Sequence, residues 1–294
     1  MSQDAHPSAA TLHGGGVVHN ADSHLSPEET ELVDDSLKLS AKAVYSVIRR
    51  EGEEELSRPL KSLWWSGLAA GIGISTSVLA EGILAVELDG HPYRTLVQNI
   101  GYTVGFVLVI LARLQLFTEN TITPVLPVLA RVHEGCFRRM LVLWGVVLGA
   151  NMVGTFLAAG FFMLGTVTPE HLTGMMSVSH HYAEAAGWDA LLRGIPAGFL
   201  IAVLVWMLPS SKGYELFVII LFTFLIAAGD FTHVVAGAVE VFLLILHGEL
   251  GIGAGFGTLI LPTLIGNVLG GTVIFTLLAF AQVQEEMVPG DGTP

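Results

Sequence analysis

The sequence predicts an all-α, polytopic membrane protein: six transmembrane helices in two inverted three-helix repeats, with the second and fifth helices broken. Three observations predict it. Hydrophobic residues make up 52% of the 294 and charged residues only 13%, against about 25% charged in an ordinary soluble domain. Charge gathers before residue 62, and several apolar runs beyond it reach the length of about 20 residues that a helix needs to cross a bilayer. Short motifs also recur in the same order in the two halves of the chain.

Taken in order, residues 1–25 read as a disordered tail, rich in Ala, Ser, Gly and His. His6, His13, His19 and His24 match no metal-binding spacing, so no metal is assigned. Residues 26–56 read as an amphipathic helix, with Ser26 as N-cap, Pro27 at the first helical position and Glu29 completing a capping box. Leu37, Val44, Val47 and Ile48 fall near one face of it. It is too polar to span and is expected to lie on the membrane surface or dock on a neighbour. No apolar run precedes it, so no signal peptide is expected in residues 1–26.

The pore domain is expected over 62–284, with repeat one about 62–165, repeat two about 188–284, and a tail over 285–294. Its apolar segments are roughly 63–86, 100–132, 139–165, 190–208, 214–246 and 257–282. The second is interrupted at "FTENTITP" and the fifth near "AAGDFTHVVAG". Lys38, Lys42, Arg49, Arg50, Arg58 and Lys61 precede the first span. Arg131, Arg138 and Arg139 lie between the second and third, and Lys212 between the fourth and fifth. That asymmetry predicts cytoplasmic termini in the cell (inner) membrane.

The repeat is carried by three matches. "SGLAAGIGI" resembles "RGIPAGFLI", pairing Gly67, Ala70 and Gly71 with Gly194, Ala197 and Gly198. "FTEN" (Phe117, Thr118, Glu119, Asn120) resembles "FTHV" (Phe231, Thr232, His233, Val234), which makes Glu119 the counterpart of His233. "GANMVGT" resembles "IGNVLGGT", pairing Asn151 with Asn267. The Phe-to-Asn intervals are 34 and 36 residues. Each half holds three spans, an odd number, so the halves are inverted. Broken helices at matching places in inverted repeats mark a transport site near the midplane, because irregular backbone at that depth persists only when buried or lining a wet cavity.

"LFT" followed by a polar loop, a His in a broken fifth span, and "GNVLGG" in the sixth resemble the formate/nitrite transporter family over about 30–284. The resemblance implies an aquaporin-like helical arrangement, a homopentamer with one pore per protomer, and a small monovalent anion or its conjugate acid as solute. It places the family's loop phenylalanine and threonine on Phe117 and Thr118, its central histidine on His233 and the neighbouring asparagine on Asn267. Tyr102, Phe106 and Ile226 fall at the apolar constrictions. The chain departs from the family pattern at Gln115, where an acid is usual, at Glu119, where small residues are usual, and at Gly237, where Asn is usual.

The ionisable residues within spans are the functional candidates, since each is costly at membrane depth, roughly 3 kcal/mol. His233 is read as the proton-exchange group. Glu119 is either a proton carrier or a buried acid held by loop N–H groups. Arg113 balances Glu119 or Asp230, or touches solute. Asp230, Glu240 and Glu81 add carboxylates, and His233, Glu240 and His247 recur every seven residues, one face of a continuous helix. Asn120 completes the expected solute path.

The favoured function is a channel or transporter for a small monovalent anion or its weak acid. The alternative is passage of cations, protons or a small neutral solute, for which the carboxylates argue. No GxSxG, HExxH or P-loop motif occurs, so neither an enzyme nor an ATP-driven pump is expected. No cofactor is assigned. The partners expected are the lipid bilayer, further copies of the chain and the solute. The net charge of −13 speaks against nucleic acid. Cys136, the sole cysteine, forms no intramolecular disulfide.

Overall fold

A computed structural model describes Ser26 and residues 39–130 and 135–287. The chain divides into two units, Met1–Lys38 and Leu39–Pro294, and every described helix belongs to the second. The predicted tail 1–25, the capping residues Pro27 and Glu29, the loop residue Arg131 and residues 288–294 of the predicted C-terminal tail lie outside the described residues.

All regular structure among the described residues is helical. Helix α1 is Ala41–Ser57, and its N-cap is Ser40, whose hydroxyl accepts from the Ala43 N–H at 3.2 Å. This corrects the expectation of one helix from Ser26: the extended backbone at Ser40 starts the helix there. The buried face is also shifted. Val44, Tyr45, Ile48 and Gly52 are buried, spaced at three to four residues as one helical face requires, while Val47 is exposed. The tight spot is Gly52, where a Cβ would strike the Thr123 carbonyl.

Among the described residues, five helices are long and apolar enough to cross a membrane: α2 (Leu60–Glu87), α3 (Arg94–Leu111), α5 (Cys136–Thr166), α7 (Trp188–Ser210) and α10 (Ile252–Glu286). Shorter helices after α1 are α4 (Val125–Ala130), α6 (Pro169–Glu184), α8 (Glu215–Ala228) and α9 (Val234–His247). The predicted second segment is therefore α3, an irregular stretch and α4. The predicted fifth is α8, a short stretch and α9. Helix α3 stops at Leu111, six residues before Phe117, because Arg113 takes a left-handed backbone (φ 54°) that no helix continues. Asp230 does the same after α8 (φ 50°).

Helix α6 has no counterpart among the predicted segments, which leave 166–189 as a connection. Thr168 caps it by accepting from the His171 N–H at 3.2 Å, and Pro169 starts it. Its buried side, Gly174, Met175, Met176, Val178 and Ser179, packs on α2 and α9. Helix α2 packs against α5 and α3, and α7 packs against α10 in the same way. Small residues permit both approaches: a Cβ on Gly71 would strike the Asn151 carbonyl, and one on Gly198 the Asn267 carbonyl. Large apolar side chains such as Trp65, Leu164 and Phe217 face outward, as expected where the surrounding solvent is hydrocarbon.

Candidate functional site

The two irregular stretches are held by two asparagines with matching bonds. Asn151 Oδ1 accepts from the Phe117 N–H at 2.9 Å, while its Nδ2 donates to the Gly67 carbonyl at 2.8 Å and the Gln115 carbonyl at 2.9 Å. Asn267 Oδ1 accepts from the Val234 N–H at 2.9 Å, and its Nδ2 donates to the Gly194 and Thr232 carbonyls, each at 2.9 Å. Both side chains are fully buried. A broken helix leaves backbone N–H and C=O groups without intrahelical partners, and one amide side chain satisfies one donor and two acceptors at each break.

These bonds correct the register expected from the paired "FT" motifs. They match Phe117 with Val234 and Gln115 with Thr232, as do the two left-handed residues, Arg113 and Asp230. The separations to the asparagines are then 34 and 33 residues. Leu116, not Glu119, falls opposite His233. Backbone bonding sets the register here, and the "FT" resemblance lies three residues out of phase with it.

The stretches meet at a buried contact. Thr118 Oγ1 and His233 Nε2 are 2.7 Å apart. His233 is also the N-cap of α9, its Nδ1 accepting from the Ala236 N–H at 3.2 Å. A backbone N–H can only donate, so Nδ1 is bare; a neutral imidazole then carries its proton on Nε2 and donates it to Thr118. The Thr118 hydroxyl keeps its own proton for another acceptor. Phe106 and the imidazole meet nearly at right angles, with centroids 5.0 Å apart, and Tyr102 packs on Phe106 at 5.1 Å. Ile226 is fully buried at the end of α8.

On the α6 side of this contact lies a cavity of about 100 Å³. Its lining includes Glu81, Tyr102, Tyr182, Asp230 and Glu240. Asp230 is exposed and bonds His181 Nε2 at 3.1 Å. Arg193, also on the cavity, pairs with Asp189 at 3.0 Å. Glu240 is buried, whereas His247 is exposed and bonds Glu249 at 2.6 Å. The expected stripe of His233, Glu240 and His247 therefore does not form one polar face. His233 caps the helix rather than belonging to it, and His247 ends it.

On the α1 side a polar network joins helix α1 to the first irregular stretch. Glu55 accepts from Thr123 Oγ1 at 2.8 Å and Gln115 Nε2 at 3.2 Å, and Gln115 Oε1 accepts from Asn120 Nδ2 at 3.2 Å. Asn120 thus braces the loop, and its carbonyl accepts from Trp144 Nε1 at 2.8 Å. Phe117 packs edge-on against Trp144 at 5.7 Å. Burial pushes the Glu55 carboxyl above the usual carboxylate range, against the opposing pull of its Thr123 and Gln115 hydrogen bonds. Glu119 sits in the turn Glu119–Thr121, with Oε1 buried and without a hydrogen-bond partner among the described residues. Arg113 forms its ion pair with Glu51, at 3.0 Å, and not with Glu119 or Asp230. Its backbone turn throws the side chain outward, 82% exposed.

Of the residues singled out from sequence, Tyr102, Phe106, Thr118 and His233 form one continuous cluster. Asn267 buttresses it, Phe117 and Asn120 belong to the loop behind it, and Glu240 and Asp230 lie on the cavity. Sequence reasoning missed Tyr182, Glu55 and Trp144. They come from elements remote in the chain, and no local pattern marks them.

Residues 42–281 match the model of the family described as formate/nitrite transporter. The chain is 41% identical over 261 residues to the inner membrane protein YfdC of Escherichia coli, covering 88% of this chain and 84% of that protein. Among solved structures it resembles an FNT family ion channel (TM-score 0.70, 22% identity, 82% of this chain and 98% of the other). It also resembles a pentameric formate channel with formate bound (TM-score 0.64, 20% identity, 76% and 98%). The chain belongs to the formate/nitrite transporter family, a family of transporters and channels rather than enzymes.

Proposed function

We propose that the protein is a multi-pass pore of the inner membrane for a small monovalent anion of a weak acid, of the formate or nitrite kind, which crosses the centre in its neutral form. The single observation that carries this reading is the buried Thr118–His233 contact, closed by Phe106. A bare charge pays heavily for leaving water in such a place, whereas a solute that takes a proton can pass an apolar constriction. His233 is the proton-exchange group: as the Nε2 proton passes through the Thr118 hydroxyl to the solute, Nδ1 takes up a proton in its place and releases the Ala236 N–H, so the ring stays neutral. Tyr102, Phe106 and Ile226 form the constriction. Phe117, Glu119, Asn120, Asn267, Asp230 and Glu240 line or support the path, and Arg113 stands at its α1-side entrance.

The same reading takes the helices as six crossings in two inverted repeats, aquaporin-like, with α3–α4 and α8–α9 as the broken second and fifth. The matched asparagine bonds support it. The α1 side and both termini face the cytoplasm, in line with the distribution of Lys and Arg. The pore domain covers 62–284 and the amphipathic helix precedes it. Five copies assemble, as in the similar pentameric formate channel.

A second reading, passage of cations, protons or a small neutral solute, has one observation in its favour: Glu81, Asp230 and Glu240 on a single cavity. Flux into liposomes separates the two. Formate and nitrite are expected to enter faster as external pH falls, with potassium excluded. Thr118→Val should slow acid entry by at least about tenfold while Thr118→Ser keeps it, the range for a positioned proton-transfer group. Potassium or ammonium entry without formate or nitrite entry would replace the first reading by the second.

A further inference from the structure

Tyr182, on α6, is a large aromatic side chain on the α6-side cavity to which proton exchange at His233 assigns no role. Its seat is on α9. Gly237 lies one turn beyond His233, its N–H donating to the His233 carbonyl at 2.8 Å. Glycine is a poor residue for a helix interior, so its place in α9 calls for a packing reason. Tyr182 supplies it: a Cβ at position 237 would strike the far end of the tyrosine side chain, at Cζ, Cε2 and the hydroxyl oxygen. The ring fills the notch that the glycine leaves. Its hydroxyl lies 3.3 Å from Thr263 Oγ1 of α10, so one side chain joins α6 to both α9 and α10.

The same ring borders the approach to His233. Asp230 and His181 on the cavity are exposed, whereas Tyr102, Thr232 and Glu240 on it are buried. Thr232 is the chain neighbour of His233, and Tyr102 packs on Phe106, which meets the imidazole. The cavity therefore runs from the surface to the immediate neighbours of His233. Gly237 is absent from its lining because the Tyr182 ring covers it. Without the ring, the space would extend onto α9 within a turn of His233. A stiff ring seated on the one residue type that leaves room for it is a steric limit rather than a charge, and it acts on any solute taking this route.

We propose that Tyr182, seated on Gly237, is a specificity-determining residue of the pore: its ring sets the largest solute that reaches His233 from the α6 side. Acids the size of formate or nitrite pass it, and acids with a branched three-carbon skeleton are held back. The proposal rests on the reading of His233 as the centre of the path. It concerns the size of the solute and not its charge, so failure of the solute reading and failure of this one are distinguishable.

The test uses the full chain in liposomes, with entry into protein-free liposomes subtracted. Formate, acetate and lactate are compared, and the wild-type protein is expected to pass lactate at least about tenfold more slowly than formate, the discrimination a fitted pocket achieves between solutes that differ by a small group. Tyr182→Ala should raise the lactate-to-formate ratio by about tenfold. Tyr182→Phe, which keeps the ring, should leave the ratio unchanged. Tyr182→Ala combined with Gly237→Leu, which fills the notch from α9, should bring it back toward wild type. Gly237→Ala alone pushes the ring into the cavity and should lower the acetate-to-formate ratio, a readout that does not depend on the assembly of Tyr182→Ala. Ammonium, methylammonium and ethylammonium are measured in the same way. Entry of these amines without entry of the acids overturns the solute reading, and the ratios among the amines then test Tyr182. The proposal falls if wild type passes the largest member of the transported series as fast as the smallest, if neither Tyr182→Ala nor Gly237→Ala changes any ratio, if Tyr182→Phe shifts the ratios as much as Tyr182→Ala, or if no solute of either series enters.

Discussion

Asn267 holds a histidine-bearing loop with three hydrogen bonds, and Asn151 does the same for the loop that bears Thr118. Replacing Asn267 by Leu would leave the Val234 N–H and the Gly194 and Thr232 carbonyls unpaired in a dry interior. At about 1–3 kcal/mol for each orphaned group, a loss on the order of 3 kcal/mol or more is expected, read as a lower melting temperature of the purified protein; unchanged melting would mean that the loop is held by other contacts. These asparagines were legible in the sequence, because each lies in a motif that recurs. Glu119 was legible only as an anomaly. Its supposed equivalence to His233 rested on two shared letters, and the backbone bonds assign that place to Leu116. Glu119 instead shares its surroundings with the charges of Glu55, Glu51 and Arg113, on the α1 side. Glu119→Gln is therefore expected to raise anion flux relative to cation flux at alkaline pH, where the carboxyl carries charge, and to leave that ratio unchanged at acid pH, where it does not. An assembled variant with wild-type selectivity would make Glu119 a structural acid.

At the scale of elements, the two irregular stretches were visible because prolines and polar residues interrupt apolar runs, but the starting point of the first was not. Arg113 carries no sequence signature of a left-handed backbone, so α3 ends earlier than the pattern implies, whereas α8 ends at Ala228, where the "AAGDFTHVVAG" interruption begins, and Asp230 is a residue type that tolerates positive φ. Helix α6 was hidden for another reason. Its buried side is made of Gly, Met and Ser as well as Val, so its apolar periodicity is shallow, and only the Thr-Pro-Glu start signals it. Helix α1 was foreseen as amphipathic, yet its partner was not: it docks on the first irregular stretch through Glu55, Thr123 and Gln115. That docking has a testable pH dependence. Because burial raises the Glu55 carboxyl above the usual range, the docked state binds its proton more tightly than the undocked state does. Its contribution is full below the ordinary carboxylate range and is lost as pH rises through the raised value. Amide exchange in α1 should therefore be faster at about pH 8 than at about pH 5 after correction for intrinsic rates, and Glu55→Gln should remove most of that difference. An equal difference in wild type and variant would assign the effect to another group.

At the scale of the whole molecule, composition alone decided that the solvent is a bilayer, and the outward-facing Trp65, Leu164 and Phe217 agree. What composition could not decide is which of those outward faces meets lipid and which meets another copy, since both partners are apolar and select for the same residues. One face is informative. Phe156, Leu157, Gly160, Phe161, Met163, Leu164 and Leu246 surround an apolar hollow on α5 and α9, a shape that a neighbouring helix fills better than disordered acyl chains do, because close packing needs a fixed complementary surface. We expect the protein released from the membrane in mild detergent to have a native mass of five times its 31.3 kDa. The expectation rests on the similar pentameric formate channel and on this hollow. Leu157→Arg would place a charge there that neither a protein interface nor hydrocarbon solvates, so native mass spectrometry should find smaller species in that variant while the helical circular dichroism of the chain persists. A wild-type protein that is monomeric or dimeric under the same conditions would overturn the pentamer, and a Leu157→Arg variant that stays pentameric would move the interface to another face.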